Sequence, residues 1–119
     1  MNKITYEERV KIYADALDTF GLNIQLVLAL EELAEVQKEI CKALRGGANI
    51  YHLAEEVADA TIMLEQIRQV FAINEEVCKI MDEKVLRLRY RIEDARDYQR
   101  SVTPEKIREL FGRADYANN

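Results

Sequence analysis

The sequence predicts an all-α fold, and three features of its composition support that prediction. Only 4 of the 119 residues are glycine and 1 is proline, so the chain lacks the turn residues that a many-stranded β fold needs. Hydrophobic residues make up 49% of it, which is too apolar for a disordered chain. Glutamate, lysine, leucine, alanine and arginine are abundant, as is typical of long helices. A chain of this length fits a single domain, residues 1–119.

Turn residues divide the chain into five predicted helices. The breaks fall at Gly21, Gly46, Gly47, Asn74 and residues 101–104. The helices are expected to span residues 6–20, 22–44, 49–71, 74–100 and 103–113, followed by a frayed tail over 114–119. Gly21 is expected to form a left-handed C-terminal cap. Asn49, Asn74 and Thr103 are expected to cap the N-termini of their helices.

Charge and hydropathy exclude several classes of function. The net charge of −5, with scattered lysines and arginines, argues against a nucleic-acid polymer as partner. No apolar stretch approaches the ~20 residues of a membrane-spanning helix, so no membrane partner is expected. The first residues lack the apolar core of a signal peptide, and we expect a cytoplasmic protein. Cys41 and Cys78 fall inside helical patterns and are expected to be buried thiols.

The second predicted helix has a leucine side and an acidic side. The leucine side consists of Leu26, Leu30, Leu33, Gln37 and Leu44. The acidic side, roughly opposite, consists of Glu31, Glu32, Glu35 and Glu39. The simplest interpretation is a solvated acidic face. Two details weaken it: Leu28, Val36 and Ala43 share the acidic side, and like charges three or four residues apart destabilise a helix by about 0.2–0.5 kcal/mol per pair.

The third predicted helix carries two carboxylates inside an apolar arc. The arc consists of Leu53, Val57, Ala60, Met63, Leu64, Ile67, Val70 and Phe71. Glu56 and Asp59 fall within it, whereas Arg68, the basic residue of this helix, lies on the far side. Carboxylates beside apolar neighbours need a cationic partner or must take up a proton. That partner must come from another helix or be an ion.

The second helix adds further acidic residues, rather than basic ones, near Glu56 and Asp59. Two carboxylates about 4 Å apart repel by roughly 4 kcal/mol at an effective dielectric constant near 20. Facing pairs of acids therefore call for a divalent cation, and carboxylate oxygens suit Mg²⁺, which also accepts phosphate as a ligand. The single histidine, His52, argues against a di-iron bundle, which needs two Glu-x-x-His motifs.

The acidic residues match a known two-part motif. Residues 31–35 (EELAE) followed by 56–59 (EVAD) resemble the EExxE…ExxD signature of the MazG-like, all-α nucleoside triphosphate pyrophosphohydrolases. The gap between the two parts is usual for that family. Residues 19–21 with Gln25 resemble the lead-in to its first motif, and residues 83–91 resemble the basic stretch after its second. The likeness covers residues 13–92.

The resemblance implies an antiparallel bundle of about four to five helices whose core is completed by homo-oligomerisation, as a homodimer or homotetramer. It implies Mg²⁺-dependent hydrolysis of nucleoside triphosphates to a monophosphate and pyrophosphate in nucleotide-pool housekeeping, with Mn²⁺ as a substitute metal. Glu32, Glu35, Glu56 and Asp59 would be the metal ligands. Glu31 would be an auxiliary acid. Glu31 or Glu35 would accept the proton of the attacking water, and the residues leave that choice open.

Basic residues on the fourth predicted helix are candidates for phosphate contact. Lys84, Arg87 and Arg91 are spaced i, i+3, i+7, so they share a face that borders an apolar stripe. The alternative is that they are snorkelling surface side chains or partners of the acidic helices. The sequence specifies neither the base nor the sugar, and no base-binding residue is assigned.

A function of a different class also fits the composition. The chain would then be a non-catalytic helical interaction or oligomerisation protein with an acidic face. Such a protein would be indifferent to Mg²⁺ and would tolerate neutralisation of Glu56 or Asp59, whereas the enzyme would not.

Overall fold

The computed structural model describes residues 2–112 and confirms the all-α fold. Its five helices are α1 (Tyr6–Phe20), α2 (Leu22–Leu44), α3 (Ile50–Val70), α4 (Asn74–Ser101) and α5 (Pro104–Phe111). No strand occurs in these residues. The helix ends lie within two residues of the expected positions, so the sparse turn residues do set the boundaries. The expected frayed tail, 114–119, lies outside the described residues.

Side-chain caps begin three of the helices. Thr5 and Glu8 form a capping box at the start of α1: each side chain accepts a hydrogen bond from the backbone N–H of the other residue. Asn49 accepts hydrogen bonds from the backbone N–H groups of Tyr51 and His52 and so caps α3. Thr103 caps α5. These caps satisfy N–H groups that the first turn of a helix leaves without partners.

Two expected caps differ in detail from the structure. Gly21 ends α1 and its N–H donates to Leu17 O at 2.9 Å, but its φ of 85° is combined with a ψ of 159°. That extended conformation is open essentially to glycine alone, and it turns the chain directly into α2. Asn74 is the first residue of α4, and its side-chain oxygen accepts a hydrogen bond from Arg68 Nε rather than serving as a cap.

The described chain divides into two compact units, residues 2–74 and 75–112. In the first unit, α2 packs along α3, and α1 packs on α2. In the second unit, α4 and α5 contain no buried residue. The core of the first unit lies between α2 and α3, where Ala29, Ala60 and Met63 are buried.

The acidic side of α2 faces inward, contrary to the simplest interpretation of the sequence. Glu39 is only 5% exposed, with its carboxylate 3.0 Å from Lys42 Nζ, and Glu32 is half-buried. On the leucine side, Leu30 is 68% and Leu44 is 83% exposed. Polarity alone favours solvent for the acidic side, but α2 uses that side to pack on α3.

The two cysteines correct another expectation. Cys41 and Cys78 are both exposed. Cys41 lies on α2 away from the side that packs on α3, and Cys78 lies on α4, whose side chains are almost all exposed. A helical pattern placed them in helices but could not tell which side of each helix is covered.

Across residues 2–112, the structure has no helix that is both long and apolar enough to span a bilayer.

Candidate metal centre

Three carboxylates from two helices meet at the contact between α2 and α3. Glu32 comes from α2, and Glu56 and Asp59 come from successive turns of α3. One oxygen of each lies within 4.8 Å of the others. Glu32 and Glu56 are half-buried, and Asp59 is exposed. The group is therefore open to solvent on one side and packed on the other.

Local sequence explains why these carboxylates converge. Glu56 and Asp59 are three residues apart, so both project from one face of α3. Ala29 lies one turn before Glu32 and is 2% exposed, and Ala60 lies beside Asp59 and is buried. Such small side chains allow the axes of packed helices to approach closely. The approach brings the facing carboxylates together.

The neighbouring negative charges affect the pKa of Glu32. The pKa of its carboxyl is raised above the ordinary value, first because burial disfavours the charged form and then because of the negative charges of Asp59 and Glu56. Glu31 and Glu35 add to the same effect. An opposite charge placed among these oxygens would lower that pKa again.

Basic side chains do not supply that charge. None of the ion pairs found in residues 2–112 includes Glu32, Glu56 or Asp59. The lysines of α2 pair with other acids of the same helix, Lys38 with Glu35 and Lys42 with Glu39. Within the described residues, the charged neighbours that act on Glu32 are thus other carboxylates.

The donor set fits a hard divalent cation. With Mg²⁺–oxygen distances of about 2.0–2.1 Å, the ligands of an octahedron lie roughly 3–4 Å apart. Oxygens within 4.8 Å of one another reach that spacing by small side-chain rotations. Asp59, being exposed, leaves room for water or phosphate oxygens on the remaining positions. The arrangement can therefore hold a cation and present it to an anionic ligand.

The other residues predicted for the site lie around this group or outside it. Glu35 is half-buried, and its carboxylate lies 4.0 Å from Lys38 Nζ; it is not one of the three that converge. Glu31 is exposed and lines a shallow pocket on α2. The predicted phosphate-contacting residues lie exposed on α4, in the second unit: Lys84, Arg87 and Arg91.

Gln25, part of the lead-in to the first motif, makes a structural contact. Its side chain is 7% exposed, and its amide donates to Ala16 O at 3.4 Å. It therefore ties the start of α2 to the last turns of α1. A lone glutamine in an apolar run indicates some buried polar contact, but the sequence could not show that the partner is a backbone carbonyl.

A polar network that the sequence did not reveal links α1 to α3. Glu65 accepts hydrogen bonds from Tyr13 Oη and Arg9 Nη1, and Gln69 Nε2 donates to Val10 O at 2.9 Å. The partners are more than fifty residues apart, so no local spacing pattern could have paired them.

We expect Tyr13 to titrate well above an ordinary tyrosine. Burial, and then its hydrogen bond to Glu65, raise the pKa of Tyr13 to about 12 from 10.0. Because the neutral phenol is favoured in the folded state, this stabilisation is present below pH 10 and is lost as the pH rises through about 12. The measurement is an ultraviolet pH titration of phenolate absorbance, in which the difference between the parent and Tyr13→Phe isolates this group. A Tyr13 phenolate signal that appeared at the ordinary tyrosine pKa of 10.0 would contradict the expectation.

Comparison of the chain with family models, with curated proteins and with solved structures gave no match. The resemblance to the pyrophosphohydrolases therefore depends on the motif residues themselves.

Proposed function

We propose that this protein is a Mg²⁺-dependent nucleoside triphosphate pyrophosphohydrolase of the MazG-like kind. One observation carries the proposal: Glu32, Glu56 and Asp59, from both parts of the two-part motif, converge to within 4.8 Å. Either part alone would be an ordinary acidic helix face. Their meeting across a helix contact, without a paired base in the described residues, supports a site for a divalent cation.

Each residue of the proposed site has a role. Glu32, Glu56 and Asp59 would hold the cation, and Glu35, whose carboxylate lies 4.0 Å from Lys38 Nζ, would be the fourth ligand. A bound Mg²⁺ would neutralise charge on the phosphate oxygens and lower the pKa of an attacking water. Glu31 or Glu35 accepts the proton of that water, and the half-buried Glu35 lies on the acidic side of α2 with Glu32.

The proposal assigns phosphate contact to the basic face of α4. Lys84, Arg87 and Arg91 are spaced so that their charges lie along one side of that helix. Lysine and arginine side chains neutralise phosphate charge that lies too far from the metal ion to be neutralised by it. Because the proposed substrates are nucleotides of the cellular pool, we propose that the protein is located in the cytoplasm.

Homo-oligomerisation is also part of the proposal. The leucine side of α2 is largely exposed in one chain, with Leu30 at 68%, and exposed apolar surface of this extent favours association. A second copy covering it would give the homodimer or homotetramer that the resemblance implies. Light scattering at several protein concentrations tests this, and a monomer at all of them would remove this part of the proposal.

A substrate panel tests the reaction. Ribo- and deoxynucleoside triphosphates are incubated with the protein, with and without Mg²⁺, and pyrophosphate and orthophosphate are measured separately. We expect pyrophosphate and a nucleoside monophosphate only when Mg²⁺ is present, with Mn²⁺ able to replace it. Release of orthophosphate with the diphosphate would contradict cleavage between the α and β phosphates.

The second candidate is a non-catalytic helical interaction protein. Its support is the exposed apolar surface of α4, including Val85 at 63%, which a partner could cover. Such a protein should show no turnover with any triphosphate and no change in stability on addition of Mg²⁺. The two candidates thus differ in a property that is measured without a partner.

A further inference from the structure

α1 is less buried in the first unit than α2 and α3 are. It contains no buried residue, and its inner side, with Val10, Tyr13, Ala16 and Leu17, is only half-buried. α2 and α3, by contrast, share the buried core of the first unit. Apolar burial therefore contributes less to holding α1 in place than to holding α2 on α3.

Polar contacts hold the two ends of α1 to different helices. At its C-terminal end, α1 continues through Gly21 into α2, and Gln25 of α2 bonds Ala16 O. In its N-terminal half, the contacts go to α3 instead. Arg9 Nη1 lies 3.3 Å from Glu65 Oε1, and Tyr13 Oη donates to the same carboxylate. Gln69 adds the bond to Val10 O.

A cleft lies behind these contacts. It has a volume of about 520 Å³ and lies between α1 and α3. Ile12 and Ala16 line it from α1, and Ala58 and Ile62 line it from α3. Glu65, with its partners Arg9 and Tyr13, is also part of its wall. The polar contacts therefore span a gap between the helices rather than seal a packed interface.

We propose that Glu65 is a latch for α1: its bonds to Arg9 and Tyr13 hold α1 over the cleft, and their release lets α1 swing about Gly21 and open the cleft while α2 and α3 stay folded together. Gly21 is the natural hinge because few other residues adopt its φ of 85°, and the side-chain contact that crosses it, from Gln25 Nε2 to Ala16 O, is long at 3.4 Å. The latch is independent of the proposed enzymatic activity.

The chemistry of the contacts favours Glu65 as the controlling residue. One carboxylate accepts from both α1 side chains, so removing it breaks two contacts at once. Glu65 is 31% exposed at its side chain and Arg9 is 48% exposed, so water can replace each partner after opening. The raised pKa of Tyr13 agrees with a phenol that is held in the closed position by Glu65.

Amide hydrogen exchange measured along the whole chain tests the latch. In Glu65→Ala, we expect the amides of α1 to exchange on the order of tenfold faster, because a 15-residue helix released from α3 is only marginally stable by itself and unfolds more often. The amides of α2 and α3 should keep their parent rates. The matched control is Glu55→Ala, which removes an exposed glutamate from the same helix and should leave α1 unchanged.

Two further variants separate a latch from general destabilisation. Glu65→Gln keeps an acceptor for Tyr13 but loses the charge that attracts Arg9, so its α1 exchange should fall between the parent and Glu65→Ala. The charge-swapped pair Arg9→Glu with Glu65→Arg should slow α1 exchange relative to Glu65→Arg alone. The proposal is overturned if α1 exchanges as slowly in Glu65→Ala as in Glu55→Ala, or if α2 and α3 accelerate by the same factor as α1.

Discussion

Asp59→Asn is expected to abolish Mg²⁺-dependent release of pyrophosphate, with a loss on the order of 100-fold or more, because a metal ion supplies several kcal/mol of transition-state stabilisation. The substitution keeps the shape of the side chain but removes one of the three converging charges. Asp59 is exposed, so the fold should tolerate the change. Steady-state turnover across a range of Mg²⁺ concentrations measures the effect.

The control for this experiment lies on the same helix. Glu55 is exposed and lies outside the group of three carboxylates, so Glu55→Gln removes a nearby charge without removing a proposed ligand. It should retain turnover close to that of the parent protein. Full Mg²⁺-dependent turnover in Asp59→Asn would show that the site is assigned wrongly, whereas equal losses in both variants would point to the general acidity of α3.

Glu32→Gln is expected to stabilise the metal-free protein at neutral pH while removing its response to Mg²⁺. The folded state raises the pKa of Glu32 through burial and the charges of Asp59 and Glu56, so ionising this group costs folding free energy. A group with a raised pKa stabilises the fold at low pH, and that contribution is lost as the pH rises above the ordinary value of 4.5 and through the folded value. Glutamine avoids this loss because it does not ionise.

Urea unfolding, with and without Mg²⁺ and at several pH values, measures both parts of this prediction. At one hundred times its dissociation constant, a bound cation raises the free energy of unfolding of the parent by about 2.7 kcal/mol. Glu32→Gln should start from a higher free energy of unfolding without metal and gain little from Mg²⁺. Glu55→Gln should follow the parent in both conditions. A Glu32→Gln protein that is less stable than the parent without metal would mean that Glu32 makes a favourable contact in the fold.

The two results together distinguish a functional site from a structural acidic face. Replacing a residue that stabilises the fold lowers the free energy of unfolding. Like charges that are held close together to bind a cation lower that free energy while they are present, so neutralising one of them raises it. The proposed site predicts opposite effects of Glu32→Gln on stability and on activity. A solvated acidic face predicts small effects on stability and no dependence on Mg²⁺.

Much of the secondary structure was predictable, because helix ends depend on local chemistry. Gly21 and Gly46 adopt positive φ at the ends of α1 and α2, and Asn49 and Thr103 cap α3 and α5. Each effect involves residues a few positions apart, and a single sequence contains that information. The exception is Ala72, which takes a positive φ of 53° before α4, where the sequence gives no glycine to mark the turn.

The candidate site was predictable in part. Glu56 and Asp59 stood out because they interrupt an apolar arc, and the structure brings both against Glu32. Glu35, predicted as the fourth ligand, lies on the same side of α2 but pairs with Lys38 at 4.0 Å. Periodicity shows which residues share a helix face, but a contact distance depends on how close the two helices approach.

The sequence by itself determined five helices, the caps at Asn49 and Thr103 and the two acidic pairs, since these follow from composition, local turn chemistry and the helical repeat. Only the tertiary structure decided which side of α2 is covered. It placed the side with Glu32 and Glu39 against α3 and left Leu30 exposed, because small residues such as Ala29 allow the close approach that bulkier leucines would prevent. It also decided the link from Glu65 to Arg9 and Tyr13, since that link joins residues which only the packing of separate helices brings together.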